Sequence, residues 1–557
     1  MADGSGLRAG ERPIDGGQPL RRGWITSDGS YPLHPFLFAA ASVLALMANS
    51  VNQASFADAA PAIAGSLIFA AAVVLIVAAI RRRFDARTAV IASIWVGGCV
   101  FYASLFSDLN GFIDGGFSMA RSLPFAALAL FLLTVVAIRI NSTLINVINM
   151  VLNGIAVVIF VTPAWTAISY EWRNGAAQAI YDADRAVAEM PEIEDVAATA
   201  PDAKNPPDIY HFIFDRYASE DILGRHYDLD NRAIGQFLEQ RGFYLARASN
   251  SNYLKTGHSL ASTFYMDYLD LLADDPRLAP SNWHVIYRML EDHRVARFLK
   301  ARGYDFIQFG SWWVGTFDNP AADENHPHGF SEFNMLYLRR TMLRPIFHVL
   351  PDTPLTMRLD WDNAQCQRVA RQIEEIKAIG KREKPVYVFA HILVPHGPYN
   401  FTTDGRCITR EESIERGEPQ GYLDQIAYAN RIIEDVVTAL QAEDREPPVI
   451  LIQADEGPFP SRDYSVPWQD SPADVLRIKT GILNAYYFPN RDYSGLSNDI
   501  TPVNSYRVLF NTYFGTQLPR LTDRIFAFPT DFRLYEFHDV TAKVRGEAIS
   551  ATPARSD

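Results

Sequence analysis

The sequence predicts two architectures in tandem: an α-helical membrane domain of five transmembrane helices, then an α/β domain with a largely parallel sheet covered by helices on both faces. Five apolar stretches crowd into the first third of the 557 residues. Beyond residue 207, short β-rich runs alternate with helical patterns, as strand–helix–strand crossovers require. The charge narrows the function: 64 acidic side chains against 51 basic ones leave a net −13, so no nucleic-acid partner is expected.

The apolar stretches are residues 33–51, 59–80, 88–106, 123–140 and 144–161. Each approaches the ~20 residues an α-helix needs to cross ~30 Å of hydrocarbon. They define a membrane domain over residues 33–165 behind an N-terminal tail, 1–32. The first stretch ends on Asn49 and Asn52, but no Ala-x-Ala cleavage pattern follows it, and it reads as a helix rather than a removed signal peptide. Orientation follows the arginines. Arg21 and Arg22 precede the first span, Arg81, Arg82, Arg83 and Arg87 separate the second and third, and Arg139 lies between the fourth and fifth. These loops are expected to be cytoplasmic, with the N-terminus inside and everything after Val161 outside a bacterial-type inner membrane. The spans carry almost no ionisable residues, which argues for an anchor rather than a transporter.

Residues 166–206 read as a juxtamembrane helix, charged and alanine-containing over 171–194, followed by an Ala/Pro/Asp-rich tether. The outer domain is expected over 207–545 and a disordered tail over 546–557. Strands are expected at 209–214, 306–309, 386–391, 449–453 and 482–488, and helices at 232–241, 293–300, 364–379 and 422–442. Three cysteines exclude a disulfide framework. Cys99 lies in an apolar run; Cys366 and Cys407 both fall in the outer domain and form one bridge if they meet in an oxidising compartment, which spacing alone does not decide.

In open α/β sheets ligands bind beyond the carboxyl ends of the strands. The residues found there include metal-ligand types: Asp215 after the first strand, His396-Gly397-Pro398 after the third, and Asp455-Glu456-Gly457 after the fourth. Singly, each has an ordinary reading as a helix cap, a turn residue or a surface histidine. Jointly, carboxylates plus imidazole at one sheet edge suit a divalent cation. Thr256, between Lys255 and Gly257-His258 and ahead of a helical run, is the candidate nucleophile. A helix N-terminus and a nearby cation both favour its alkoxide and an incoming phosphate. Trp312 and Trp313 follow the second strand as a packing pair or a platform for sugar or lipid. Arg216 and Lys479 are candidates for phosphate oxygens, with surface ion pairing as their ordinary role.

Apolar spans, an outer α/β domain, a strand-terminal Asp, Thr256-x-x-Ser259, His396-Gly397-Pro398 and Asp455-x-Gly457 together resemble the alkaline phosphatase superfamily, in its membrane-anchored sulfatase-like branch of lipoteichoic acid synthase and the phosphoglycerol and phosphoethanolamine transferases. The resemblance implies that Asp215, Thr256 and Asp455 hold a metal, with Glu456 as a further ligand, that Thr256 is transiently phosphorylated, and that His396 matches the family's His-Gly-Pro histidine; His396, His391, Lys255, His258, Arg216, Trp312 and Trp313 are the expected substrate contacts. It further implies a membrane phospholipid donor and a glycan or glycolipid acceptor in the cell envelope, with a phosphodiesterase or an inactive binding protein as rivals. One departure is plain: Glu456 stands where the family usually has His. As a ligand, Glu456 would supply a hard oxygen and favour one Mn²⁺ or Mg²⁺ over Zn²⁺. A formylglycine sulfatase needs Cys/Ser-x-Pro-x-Arg, and neither Cys366-Gln-Arg nor Cys407-Ile-Thr-Arg fits, so sulfate-ester hydrolysis is disfavoured.

Overall fold

The structure, a computed structural model, describes residues 26–27, 33–112, 119–188, 206–273, 275–276, 278–350, 361–442 and 446–546. The linker beyond residue 188, all but two residues of the N-terminal tail and all but one of the C-terminal tail lie outside the described residues. The chain forms two compact units, one from residues through Ser42 and Ile63–Thr162, the other from Val43–Ala62 and Pro163 onward.

The first unit is helical. Its segments are α1 (Leu33–Ala48), α2 (Phe56–Arg81), α3 (Ala86–Val100), α4 (Tyr102–Phe112), α5 (Met119–Arg139) and α6 (Ser142–Ala188), the first, second and last running beyond it. Three are long and apolar enough to cross a membrane: α2, α5 and residues Ser142–Gly175 of α6. At 16 and 15 residues, α1 and α3 rise about 24 and 22 Å, short of the ~30 Å core. The five expected spans therefore become three long helices and two shorter ones. Two expectations change. The stretch 88–106 is broken at Phe101, which caps α3 by donating its N–H to Gly97 O at 3.0 Å. The fifth span and the juxtamembrane helix are one continuous element, because Pro163 inside α6 is the only helix breaker between them and the helix accommodates it.

The outer unit is built on a seven-stranded sheet. Its strands are β1 (Ile209–Phe214), β2 (Tyr244–Leu245), β3 (Asp305–Phe309), β4 (Glu324–Asn325), β5 (Val386–Ile392), β6 (Val449–Gln453) and β7 (Asn484–Tyr487), in spatial order β2-β7-β6-β1-β5-β3-β4. The central pairs β1–β5, β1–β6 and β3–β5 are parallel; β7 is antiparallel to β6, and β2 to β7. All six residues of β1 are buried. Ile209, His211 and Ile213 point to one face, while Tyr210, Phe212 and Phe214 enter the core on the other. A strand covered on both faces has no polar side to alternate with, hence the unbroken apolar run in the sequence.

All five expected strands form, although the last shortens to Asn484–Tyr487. The two-residue edge strands β2 and β4 escaped because they are too short to show a period. The expected helix 422–442 is the second half of Arg410–Leu440, whose first half turns at Gly417 with φ +74°. Cys366 and Cys407 form a disulfide with Cα atoms 6.0 Å apart.

Candidate active site

Sheet register explains the convergence. Ile213 of β1 lies opposite both His391 of β5 and Gln453 of β6. Asp215 and Asp455, each two residues further on, therefore leave the sheet in the same row, with the His391 ring just behind them. His391 Nε2 is 3.2 Å from Asp215 Oδ2. One atom from each of Asp215, His391 and Asp455 lies within 4.8 Å of the others, and all three residues are buried.

This donor set fits a divalent cation. Asp215 Oδ1 is buried without a hydrogen-bond partner, its nearest cationic group being Arg216 Nε at 3.9 Å, so it keeps a lone pair for a metal. Thr316 Oγ1 lies 2.7 Å from His391 Nδ1; when that nitrogen carries the proton, the Nε2 lone pair faces the carboxylates, as a metal-ligating histidine requires. Burial, and then the charges of Asp215 and Glu456, push Asp455 well above the usual carboxylate range. Burial opposes ionisation of Asp215 as well, but His396, His391 and Arg216 together hold it below that range. Two neighbouring carboxylates pushed apart in this way are what like charges sharing a buried site produce.

Thr256 begins α7 (Thr256–Tyr265), with Lys255 extended before it at φ −137° and ψ 142°. Its Oγ1 donates to Asp455 Oδ2 at 2.5 Å. The hydroxyl thus sits at a helix N-terminus, against a carboxylate, on the rim of the three-ligand cluster. Gly257 lets the helix start approach its neighbours: a Cβ there would stand 2.8 Å from Ile286.

Arg216 adopts φ +63°, a conformation that costs a non-glycine residue about 1 kcal/mol or more. The turn is held at both ends: its N–H donates to Asp455 Oδ1 at 3.1 Å, and its carbonyl accepts from the Tyr422 hydroxyl at 2.9 Å. Arg216 Nε donates to Glu456 Oε1 at 3.1 Å, and Lys479 Nζ lies 2.6 Å from the same oxygen. Lys479 comes from α9 (Ala473–Thr480), and both cations rest on the Phe459 ring, at 4.2 Å for Arg216 and 3.9 Å for Lys479. Burial lowers Lys479 to about 8, against the pull of Glu456. Gly457 is required here, since a Cβ would meet Ile478 O at 2.1 Å.

The candidate residues therefore separate. Asp215 and Asp455 come together past the strand ends, as expected, and Thr256 joins them from the start of α7. His391, expected among substrate contacts, stands in the ligand cluster. Glu456, expected as a ligand, lies outside the cluster and is engaged by Lys479 and Arg216. His396 is near, raising no bond to the carboxylates but placed 6.0 Å from the Trp312 ring; burial lowers it to about 4. Trp313 packs edge-on to His391 at 6.4 Å and to Tyr287 at 5.5 Å. Lys255 is at the rim, 3.1 Å from Asp531.

His258 corrects an expectation. It is fully buried among Trp283, Phe528, Tyr535 and Phe537, with ring centroids 5.3–6.2 Å away. Two residues into the helix from Thr256, its side chain points into the core rather than toward substrate. Thr316 was missed: it lies in a short segment after the tryptophans that carries no motif, and its role appears only once β3 is laid beside β5.

Residues 226–489 match the Sulfatase family model, a segment that includes Thr256, His391, His396, Asp455 and Lys479 and begins after Asp215. No curated protein matches the chain. Among solved structures, the C-terminal periplasmic domain of EptC from Escherichia coli in complex with Zn is similar at 11% identity, covering 61% of this chain and 95% of that one, with a TM-score of 0.39. The integral membrane lipooligosaccharide phosphoethanolamine transferase A from Neisseria meningitidis is similar at 15% identity over 88% of this chain and 96% of that one, with a TM-score of 0.34. The corresponding periplasmic domain of phosphoethanolamine transferase EptC from Campylobacter jejuni gives 13%, 60%, 96% and 0.34.

Proposed function

We propose, on the premise that the chain carries a sulfatase-family domain of the alkaline phosphatase superfamily, that it is a membrane-anchored phosphotransferase. It would take a phosphoryl-alcohol head group from a phospholipid, hold it on Thr256, and pass it to a hydroxyl of an envelope glycan or glycolipid. One observation carries this reading: the Thr256 hydroxyl, at a helix N-terminus, donates at 2.5 Å to a buried carboxylate of a three-ligand cluster.

Asp455 Oδ2 is placed to receive the hydroxyl proton as Thr256 Oγ1 forms its bond to phosphorus and the bond to the diacylglycerol oxygen breaks. The leaving alkoxide takes up a proton on departure. The acceptor hydroxyl then attacks the phospho-threonine, and Thr256 recovers its proton. Asp215, His391 and Asp455 would hold a divalent cation, which when bound lowers the pKa of the attacking hydroxyl and offsets charge on the phosphoryl oxygens. The N–H groups opening α7 face the same charge. Arg216 and Lys479 supply fixed positive charge beside it. The case for Mn²⁺ or Mg²⁺ rested on Glu456 as a hard ligand. With Glu456 engaged by two cations, what the site supports is a single divalent ion held by two carboxylates and one imidazole.

The apolar helices suit an enzyme that meets its donor in the bilayer. The disulfide supports an outer domain outside the cytoplasm, in an inner-membrane protein with the N-terminus inside. It also occupies both outer-domain cysteines, so neither serves as a formylglycine precursor. The test is release of diacylglycerol from phosphatidylethanolamine or phosphatidylglycerol in mixed micelles by the full-length protein supplied with a divalent cation. Thr256→Ala and Asp455→Asn should each lower the rate by about 10³-fold or more. Equal rates in wild type and Thr256→Ala would remove the phospho-threonine pathway, and a free phosphoryl-alcohol product in the presence of acceptors would make the protein a hydrolase.

A further inference from the structure

At the far edge of the sheet, the turn leaving β4 carries His326-Pro327-His328, and it packs against Glu375 on α8 (Trp361–Ala378). His326 Nδ1 is 2.8 Å and His328 Nε2 3.0 Å from the same oxygen, Glu375 Oε2. Two imidazole nitrogens and a carboxylate oxygen thus meet within one coordination sphere. We propose that His326, His328 and Glu375 form a second metal site, for Zn²⁺ or a similar late divalent ion, that ties the sheet edge to α8.

The spacing fits. A tetrahedral zinc with bonds of about 2.0–2.1 Å places its ligand atoms about 3.3 Å apart, so the cluster needs to open by a few tenths of an ångström. Two imidazoles and one carboxylate match that ion's ligand preference. The side chains are 30%, 15% and 39% exposed, which leaves a fourth position for water. Both histidines are held from behind. The His326 ring stacks on Phe309 at 4.5 Å, and its Nε2 faces Glu324 Oε2 at 3.7 Å, a carboxylate that Arg382 binds at 3.1 Å. A carboxylate on that side of the ring favours a proton on Nε2, which leaves the Nδ1 lone pair for the metal. The backbone of His328 has φ +37°, and its carbonyl accepts from Arg368 Nε at 2.7 Å. Without an ion, the two rings direct their protons at Glu375. On binding, each neutral ring carries its proton on the far nitrogen, so the ligating lone pairs are free and no other reactant is needed.

This site shares no residue with the Thr256 cluster. Asp215 follows β1 and His326 follows β4, three strands away in the sheet, a separation of about 14 Å. A structural role follows, because Thr256 and its acid partners lie outside reach of an ion there.

The test counts zinc in tag-free, full-length protein in detergent after equilibrium dialysis, by elemental analysis, with a chromophoric chelator to rank affinities. Asp215→Asn/Asp455→Asn should retain one zinc per chain, and adding His326→Ala/His328→Ala should remove it. Glu375→Gln, which keeps an oxygen for both imidazoles but loses the charge, should weaken that zinc at least tenfold while leaving the metal-free melting temperature unchanged. The proposal is overturned if Asp215→Asn/Asp455→Asn binds no zinc, or if its zinc survives loss of both histidines.

Discussion

Glu456 shows how one side chain changes meaning when its neighbours are known. In the sequence it stands where a histidine ligand was expected, between an aspartate and a glycine. In the fold its carboxylate lies between Lys479 and Arg216, all but excluded from water. Removing one member of a buried ion pair leaves the other uncompensated, typically at a cost of 3–5 kcal/mol. Glu456→Gln should therefore lower stability by about 3 kcal/mol, and Lys479→Met in the same chain should restore much of it, since the uncompensated ammonium is gone. A double-mutant cycle on thermal unfolding in detergent measures this coupling. Additive losses would mean that the pair is not what holds the two side chains. Asp215, Thr256 and Asp455 were legible in the sequence because the two aspartates sit just past apolar strands and the threonine opens a helix. The ion pair was not, because Lys479 lies 23 positions from Glu456 on a helix whose approach depends on Gly457.

Among the elements, the Cys366–Cys407 disulfide joins α8 to the turn before the helix Arg410–Leu440. It closes a loop of 41 residues, for which chain entropy gives about 4 kcal/mol, with measured bridges commonly delivering less. Cys366→Ser/Cys407→Ser should lower the melting temperature by several degrees, and reductant should lower the wild type but not the variant. If reductant shifts both equally, the bridge contributes nothing. Sequence could name the two cysteines but not join them, since pairing depends on where a helix and a distant turn meet. The central strands were legible for the opposite reason: burial on both faces writes a continuous apolar run. The five apolar stretches were equally plain. Their continuity was not, because a helix that passes through Pro163 into charged residues changes composition without changing conformation.

At the scale of the outer unit, His211, His258 and His293, buried in its core, weaken the fold as the pH falls. Burial lowers His211, His258 and His293 to about 3 each, from an ordinary 6.5. A folded-state pKa below the unfolded one means that the unfolded chain takes up more protons as pH falls. The stability contributed by their neutral burial is therefore intact above pH 6.5 and is lost progressively between 6.5 and 3. At pH 5 each histidine costs about 2 kcal/mol. The melting temperature of the full-length protein should fall steeply from pH 7 to 5, and His258→Phe, an aromatic ring in an aromatic nest, should flatten that slope. A melting temperature independent of pH across this range would contradict neutral burial of these rings.

The central claim, that Thr256 carries the transferred group, is tested most directly by intact mass. Full-length protein with a divalent cation is incubated with phosphatidylethanolamine and, separately, with phosphatidylglycerol, quenched in acid, and mapped by peptide. The account predicts an adduct of the mass of the phosphoryl-alcohol head group on Thr256 with one of the two lipids, absent from Thr256→Ala. No adduct with either lipid, in a preparation that releases diacylglycerol, or an adduct that persists in Thr256→Ala, would contradict it.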